Sequence, residues 1–235
     1  MKKKIIIIII LVIVAIIAAV FGYMVISDMQ QENKLDKEFT EIADLMNFDK
    51  GIDDTTKNEI NKKLDRTVTK GDYAVVEKAL KSYLKDFFGS ATEFMDIIND
   101  DTITNLLTVE NYKSDGKDFT ESKEYISSTR QKLEDCKEKL SELLTKEKAM
   151  SYIENKNLDS YYVDIYEKEF ADKIDSEDLS VNDSIDELIQ LLNTSEDIFN
   201  LLSDNQSSWE IDGDSIVFSN ESVGNKYDEL VDSIG

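Results

Sequence analysis

Apolar residues fall into two patterns along this chain. The first is a block. Residues 5–27, "IIIIIILVIVAIIAAVFGYMVIS", run for 23 positions without a charge. A helix rises about 1.5 Å per residue and a bilayer core is about 30 Å thick, so roughly 20 apolar residues cross it. A cleaved signal peptide has a shorter apolar core, about 7–15 residues, before a small-x-small site. Here Ile17 stands two residues before Ala19, and no cysteine ends the run for lipidation. The block reads as a retained transmembrane signal-anchor over 5–27. Lys2, Lys3 and Lys4 keep residues 1–4 as a cytoplasmic tip and place 28–235 outside. Its β-branched residues disfavour helix in water, but lipid leaves the backbone no other way to satisfy its hydrogen bonds.

The second pattern is a repeated stripe at spacings of three and four, the signature of amphipathic helices. Leu35, Phe39, Ile42 and Met46 form one stripe, and Ile60 and Leu64 form another behind the capping run "DDTT". Tyr73, Val76, Leu80, Tyr83, Phe87, Ala91, Phe94 and Ile98 predict one long helix through Gly89. Leu106 and Leu107 suggest a single further turn before a loop at Asp115-Gly116. From Thr120 or Ser122 as cap, the helical pattern runs on to Ile153, with Ile126, Leu133, Cys136, Leu140 and Leu143 on one face. Later stripes are Val163, Tyr166, Phe170, Ile174; then Val181, Ile185, Leu188, Leu192, Phe199, Leu202; then Val223, Tyr227, Leu230, Ile234. Helices of this kind bury their stripes against one another. The two longest suit an antiparallel hairpin, and no fixed repeat period is present.

One stretch departs from the helical period. In "SWEIDGDSIVF", Trp209 and Ile211 alternate with polar residues, then Asp212-Gly213 precedes Ile216–Phe218. Asp-Gly between alternating apolar residues predicts a β-hairpin over about 208–218, with Asp212 and Gly213 both at φ > 0. A lone hairpin is marginal in water, so Trp209 is expected to pin it to the helices. The fold class expected is mainly all-α: an N-terminal transmembrane helix, then an acidic helical bundle over 28–235 with this hairpin.

Composition narrows the possible partners. The chain has 50 acidic residues against 27 basic ones, and no histidine and no proline. Beyond residue 26 lie all the acids but only 24 of the bases, a net charge of −26. Such a surface does not bind nucleic acid electrostatically, and anionic headgroups repel it. The lack of proline suits uninterrupted helices and removes a stiff Pro-rich stalk. One cysteine allows no internal disulfide.

The absence of histidine removes Ser-His-Asp and Cys-His catalysis, the usual zinc sites and a histidine pH switch. Neither GxxxxGK[ST] nor GxGxxG occurs. Cys136 sits on an apolar stripe and reads as a small buried hydrophobe. Carboxylate pairs arise everywhere among so many acids, so glycoside hydrolysis has the raw material but no nominated pair. "NDD" at 99–101 and "DGD" at 212–214 are acidic enough for calcium, yet the EF-hand spacing fails at Ile216. Turn chemistry suffices for Asp212 and Asp214. Tyr161, Tyr162, Tyr166, Trp209 and Phe218 can line a ligand groove, though packing explains them more simply. Asn182, Asn193, Asn205 and Asn220 open N-x-S triplets, which matter only in a eukaryotic secretory pathway.

No residue is therefore nominated as catalytic, cofactor-binding or metal-ligating, and no cofactor is expected. The function expected is a non-catalytic, membrane-anchored, extracytoplasmic interaction domain of the bacterial envelope. Its partners are the membrane through 5–27 and another envelope or secreted protein, with no nucleic acid. The alternatives are a receptor-like domain for a small ligand or divalent cation, and, behind that, a wall-glycan hydrolase using paired carboxylates.

Overall fold

The structure, a computed structural model, describes residues 13, 15–17, 20, 29–46, 52–176 and 182–234. It is mostly helical, with one two-stranded antiparallel hairpin near the C-terminus. The helices are α1 (Met29–Leu45), α2 (Asp54–Asp65), α3 (Asp72–Ile98), α4 (Asp101–Asn105), α5 (Val109–Asp115), α6 (Thr120–Leu143) and α7 (Lys146–Ser151). Then come α8 (Ser160–Tyr166), a π-helical turn (Glu167–Ala171), α9 (Asp172–Ser176) and α10 (Asn182–Asp204). Strands β1 (Trp209–Asp212) and β2 (Ser215–Phe218) precede α11 (Glu221–Asp232). Among the described residues no helix is long and apolar enough to cross a membrane. The segment 5–27 read as an anchor lies outside the described residues, apart from positions 13, 15–17 and 20.

The chain divides into two compact units, Met1–Glu93 with Glu138–Val181, and Phe94–Lys137 with Asn182–Gly235. In the first unit, Leu35, Phe39 and Ile42 of α1 and Met46 just beyond its end are all buried, as are Ile60 and Leu64 of α2. Asp53 caps α2 by accepting from the Thr56 amide at 2.7 Å. The stripe of α3 is buried through Ala91, and the helix passes Gly89 without a break. Tyr83 meets Phe170 edge-on at 4.9 Å and donates to the Leu143 carbonyl at 3.0 Å. Tyr166 donates to the Ala149 carbonyl at 2.9 Å. Burial in an apolar cluster demands such partners for both hydroxyls.

Two readings of this region need correction. The helix beginning at Thr120 ends at Leu143, not at Ile153. Thr145 ends it by turning its hydroxyl to the Lys148 amide, which starts α7 as a separate helix. The stripe Tyr166, Phe170, Ile174 crosses a π-helical turn, which brings Glu169, Phe170 and Ala171 into the interior in succession.

In the second unit the core is aromatic. Phe119 stacks on Phe199 at 4.8 Å and on Trp209 at 5.9 Å, and Tyr112 meets Phe119 edge-on at 5.4 Å. Trp209 is buried and donates its indole N–H to the Leu202 carbonyl at 2.8 Å. Ile126, Leu133, Ile185, Leu188, Leu192, Phe199 and Leu202 are buried as their spacing required. Val181 lies outside the described residues. The stretch after Leu107 holds a helix, α5, that the sequence does not announce, because it buries only Tyr112.

Two local details also differ from expectation. Neither Thr120 nor Ser122 caps α6. The Asp115 carboxylate, from the end of α5, accepts from the Glu121 and Ser122 amides at 3.0 and 2.8 Å. Phe119 makes the intervening bend at φ 52°, a costly conformation held by its buried ring. The hairpin turn is displaced by one residue. Asp212 pairs with Ser215, so Gly213 and Asp214 are the central residues. Among these, Gly213 has φ 62° and Asp214 keeps negative φ, the pattern of a II′ turn. Glycine at the first central position is what that turn requires, and the Asp-Gly expectation placed it second.

Candidate functional site

The densest set of interacting charges lies in the first unit. Glu77 and Lys81 are one turn apart on α3, and both are shut off from solvent. Lys81 Nζ is 2.8 Å from Glu77 Oε1. It also donates to Glu38 Oε1 on α1 at 2.9 Å and to the Arg66 carbonyl at 2.9 Å. Its three protons thus have three acceptors. Glu77 accepts from the Val68 amide at 3.0 Å, from the Thr69 amide at 2.9 Å and from the Thr69 hydroxyl at 2.6 Å. Glu38 accepts from Arg66 Nε at 2.8 Å and from Arg66 Nη2. Lys63 adds an ion pair to Glu41 at the rim. Burial pushes the Glu38 carboxyl up, but hydrogen bonds from Arg66 and Lys81, with their charges, outweigh it and hold the group at about 2.

Two carboxylates bridged by one ammonium are close enough to invite comparison with a retaining glycosidase. Their surroundings oppose it. The Glu38 side chain is 3 % exposed and that of Glu77 0 %. Both carboxylates are closed off from solvent and hydrogen-bonded within the protein, so a sugar has no access. The cluster fastens α1, the loop 66–69 and α3 in one register.

The second unit places its charge differently. Two of its lysines hold backbone. Lys113 Nζ donates to the Gly213 carbonyl at 2.9 Å. Lys117 Nζ donates to the carbonyls of Trp209, at 3.0 Å, and Gln206, and lies 4.7 Å from the centre of the Trp209 ring. Lys123 donates to Ser203. Arg130 pairs with Glu196 and Lys137 with Asp186. The hairpin carboxylates of Glu210, Asp212 and Asp214 are exposed and have no ion-pair partner among the described residues. Glu210 stands opposite Val217, whose side is 45 % exposed. Residues 182–235 hold 13 acids and one lysine, Lys226, which pairs with Glu229 at 2.7 Å.

The residues singled out in the sequence do not converge. Cys136 is fully buried. Asp100 caps α4 through the Thr102 amide and accepts from the Tyr125 hydroxyl at 2.7 Å; these hydrogen bonds, Thr102's first, lower its carboxyl. Asn220 caps α11 through the Ser222 amide, which gives that N-x-S triplet a structural role. Among the described residues no group of three His, Cys, Asp or Glu is placed to hold a metal ion. Tyr161, Tyr162 and Tyr166 fall in the first unit, Trp209 and Phe218 in the second. Tyr162 packs edge-on against Tyr73 and Tyr161, while Tyr166 meets Phe170, and Phe218 meets Tyr227, at a tilt. The buried network was missed in the sequence, where Glu77 and Lys81 look like an ordinary surface pair.

No family of known proteins, no curated protein and no solved structure matches this chain. The fold and its chemistry define a mainly helical, acidic protein with a small hairpin.

Proposed function

We propose that this is a non-catalytic, membrane-anchored interaction protein of the bacterial envelope. The acidic part lies outside the membrane and binds another envelope or secreted protein. One observation carries the reading. The hairpin's carboxylates face solvent with no ion-pair partner among the described residues, while the nearby Lys113 and Lys117 donate to backbone carbonyls. A surface built this way keeps its negative field for something outside the chain. The partner suited to it presents lysines or arginines. Anchoring both proteins in one membrane raises their effective concentration, so a modest affinity suffices.

The test is cross-linking in living cells. The tagged full chain is extracted in detergent beside a Glu210→Lys, Asp214→Lys variant, and co-purifying proteins are identified by mass spectrometry. One enriched envelope or secreted protein, reduced several-fold in the variant, is expected. Recovery of the intact chain with nothing enriched overturns the reading.

A further inference from the structure

A hairpin has two edges, and this chain treats them unequally. The Ser219 amide donates to the Ser208 carbonyl at 2.9 Å, one step beyond the ladder. Hydrogen-bonded and non-hydrogen-bonded pairs alternate along an antiparallel ladder. Glu210 with Val217, and Asp212 with Ser215, are therefore bonded pairs. Trp209 with Phe218, and Ile211 with Ile216, turn their N–H and C=O groups outward to the two edges. On the β1 side, Lys117 takes the outward carbonyl of Trp209 at 3.0 Å. Lys113 takes that of Gly213, just past the strand, at 2.9 Å. Lysines thus guard β1 at both ends, a device that keeps an edge from pairing. On the β2 side the outward groups belong to Ile216 and Phe218. Among the described residues no hydrogen bond engages them. α11 meets β2 through the Phe218 side chain, with Gly224 against it and the Tyr227 ring at 5.2 Å.

We propose that the β2 edge receives an extended segment of the partner as a third, antiparallel strand, patterned basic–apolar–basic. The inference rests on the interaction reading above and names the form the partner takes there. Such a strand sets one residue opposite Ile216 and exchanges both main-chain hydrogen bonds with it. That residue's side chain joins the face of half-buried Ile216, which calls for an apolar group. Its two neighbours stand opposite Ser215 and Val217 and point to the outer face. Val217 is exposed there. One strand further on lie Asp212 and Glu210, the partners of Ser215 and Val217. Two strand spacings are about 9–10 Å. A lysine or arginine closes that distance by laying its stem over Val217 or Ser215, with its charged head toward the carboxylate. A second copy of this chain is the wrong occupant. Residues 182–235 hold 13 acids and one lysine, so two such edges repel each other.

The probe is a short, dye-labelled peptide of alternating lysine and valine, titrated against the full chain in detergent and followed by fluorescence anisotropy. Methylating the valine amide nitrogens removes the donors that face β2. Methylating the lysine amides touches only groups that face away. The first is expected to weaken binding about tenfold or more, the second less than about twofold. In the protein, Ile216→Pro deletes the outward N–H and leaves the β1–β2 bonds in place, so it should weaken the unmodified peptide to a similar degree. The peptide series leaves the protein untouched and decides the matter if that variant does not fold. Loss no greater for methylated valines than for methylated lysines overturns the third strand, as does full binding by a folded Ile216→Pro chain. If such binding still falls in the Glu210→Lys, Asp214→Lys variant, the acidic surface holds its basic partner and only the strand is wrong. If it does not fall, the charge reading of the hairpin fails too. No binding at all overturns the third strand, and the cross-linking in cells judges the interaction reading separately.

Discussion

Replacing Lys81 by methionine is the sharpest probe of the charged cluster. Methionine keeps the length and the apolar stem but removes the ammonium. Glu38 and Glu77 then lose the charge that bridges them at 2.9 and 2.8 Å, and the Arg66 carbonyl loses its donor. Removing one partner from a buried ion pair costs about 3–5 kcal/mol, because the other charge is left uncompensated. Here the loss falls toward the lower end, about 3 kcal/mol, since Glu38 keeps Arg66 and Glu77 keeps three hydrogen bonds from Val68 and Thr69. Urea unfolding followed by helical circular dichroism reads this as a midpoint lower by roughly 1–2 M. The cost should fall at pH 4, where Glu38 of the variant, without Lys81, takes up a proton more readily while Glu38 of the parent, held at about 2, stays ionised. Adding Glu38→Gln to Lys81→Met should recover part of the loss, since the two sites are coupled. A cost below about 1 kcal/mol at pH 7, or one unchanged at pH 4, would refute the claim that these charges depend on one another.

Glu38 makes its own prediction for the parent chain. Its folded carboxyl is depressed from 4.5 to about 2, so its contribution is complete above pH 4.5 and is lost as pH falls toward 2. The full shift corresponds to about 3 kcal/mol, and Glu38→Gln should flatten that part of the stability curve in acid titration. Asp115→Ala removes both acceptors at the start of α6 and should cost about 1–2 kcal/mol by thermal unfolding, while Thr120→Ala should cost far less. Gly213→Ala forces a side chain onto φ 62° and should cost about 1 kcal/mol, seen as a lower transition in the fluorescence of Trp209, the chain's one tryptophan.

The elements were legible where a stripe was long. Buried Leu35, Phe39 and Ile42 in α1, and the run from Tyr73 to Ala91 in α3, follow from spacing alone, because the same positions that repeat in sequence meet the core. Short elements were not. α5 buries Tyr112 and nothing else within its span, so no period exists to be read. The break at Thr145 depends on a hydroxyl choosing a backbone amide over solvent, a decision between two helical patterns of equal quality. The turn at Gly213 shows the same limit at the scale of one residue. Asp212-Gly213 and Gly213-Asp214 both fit a two-residue turn, and only the pairing of Asp212 with Ser215 selects between them.

The charged cluster was illegible for a different reason. Glu77 and Lys81 stand four apart on a helix, the spacing of countless solvent-exposed pairs. Their burial is decided by α1 and the loop 66–69, and the partners that satisfy them lie 43, 15 and 9 residues away in sequence. Local pattern carries no trace of such a meeting. The cost of burying two carboxylates is recovered only when all their partners arrive together, so this network forms with the fold or not at all. The hairpin carboxylates pose the opposite case. No ion pair among the described residues engages Glu210, Asp212 or Asp214, and their neighbours Lys113 and Lys117 donate to backbone carbonyls instead. One set of acids is closed by the chain and serves its register. The other is left open, and that difference is why a partner is sought at the hairpin and not at the cluster.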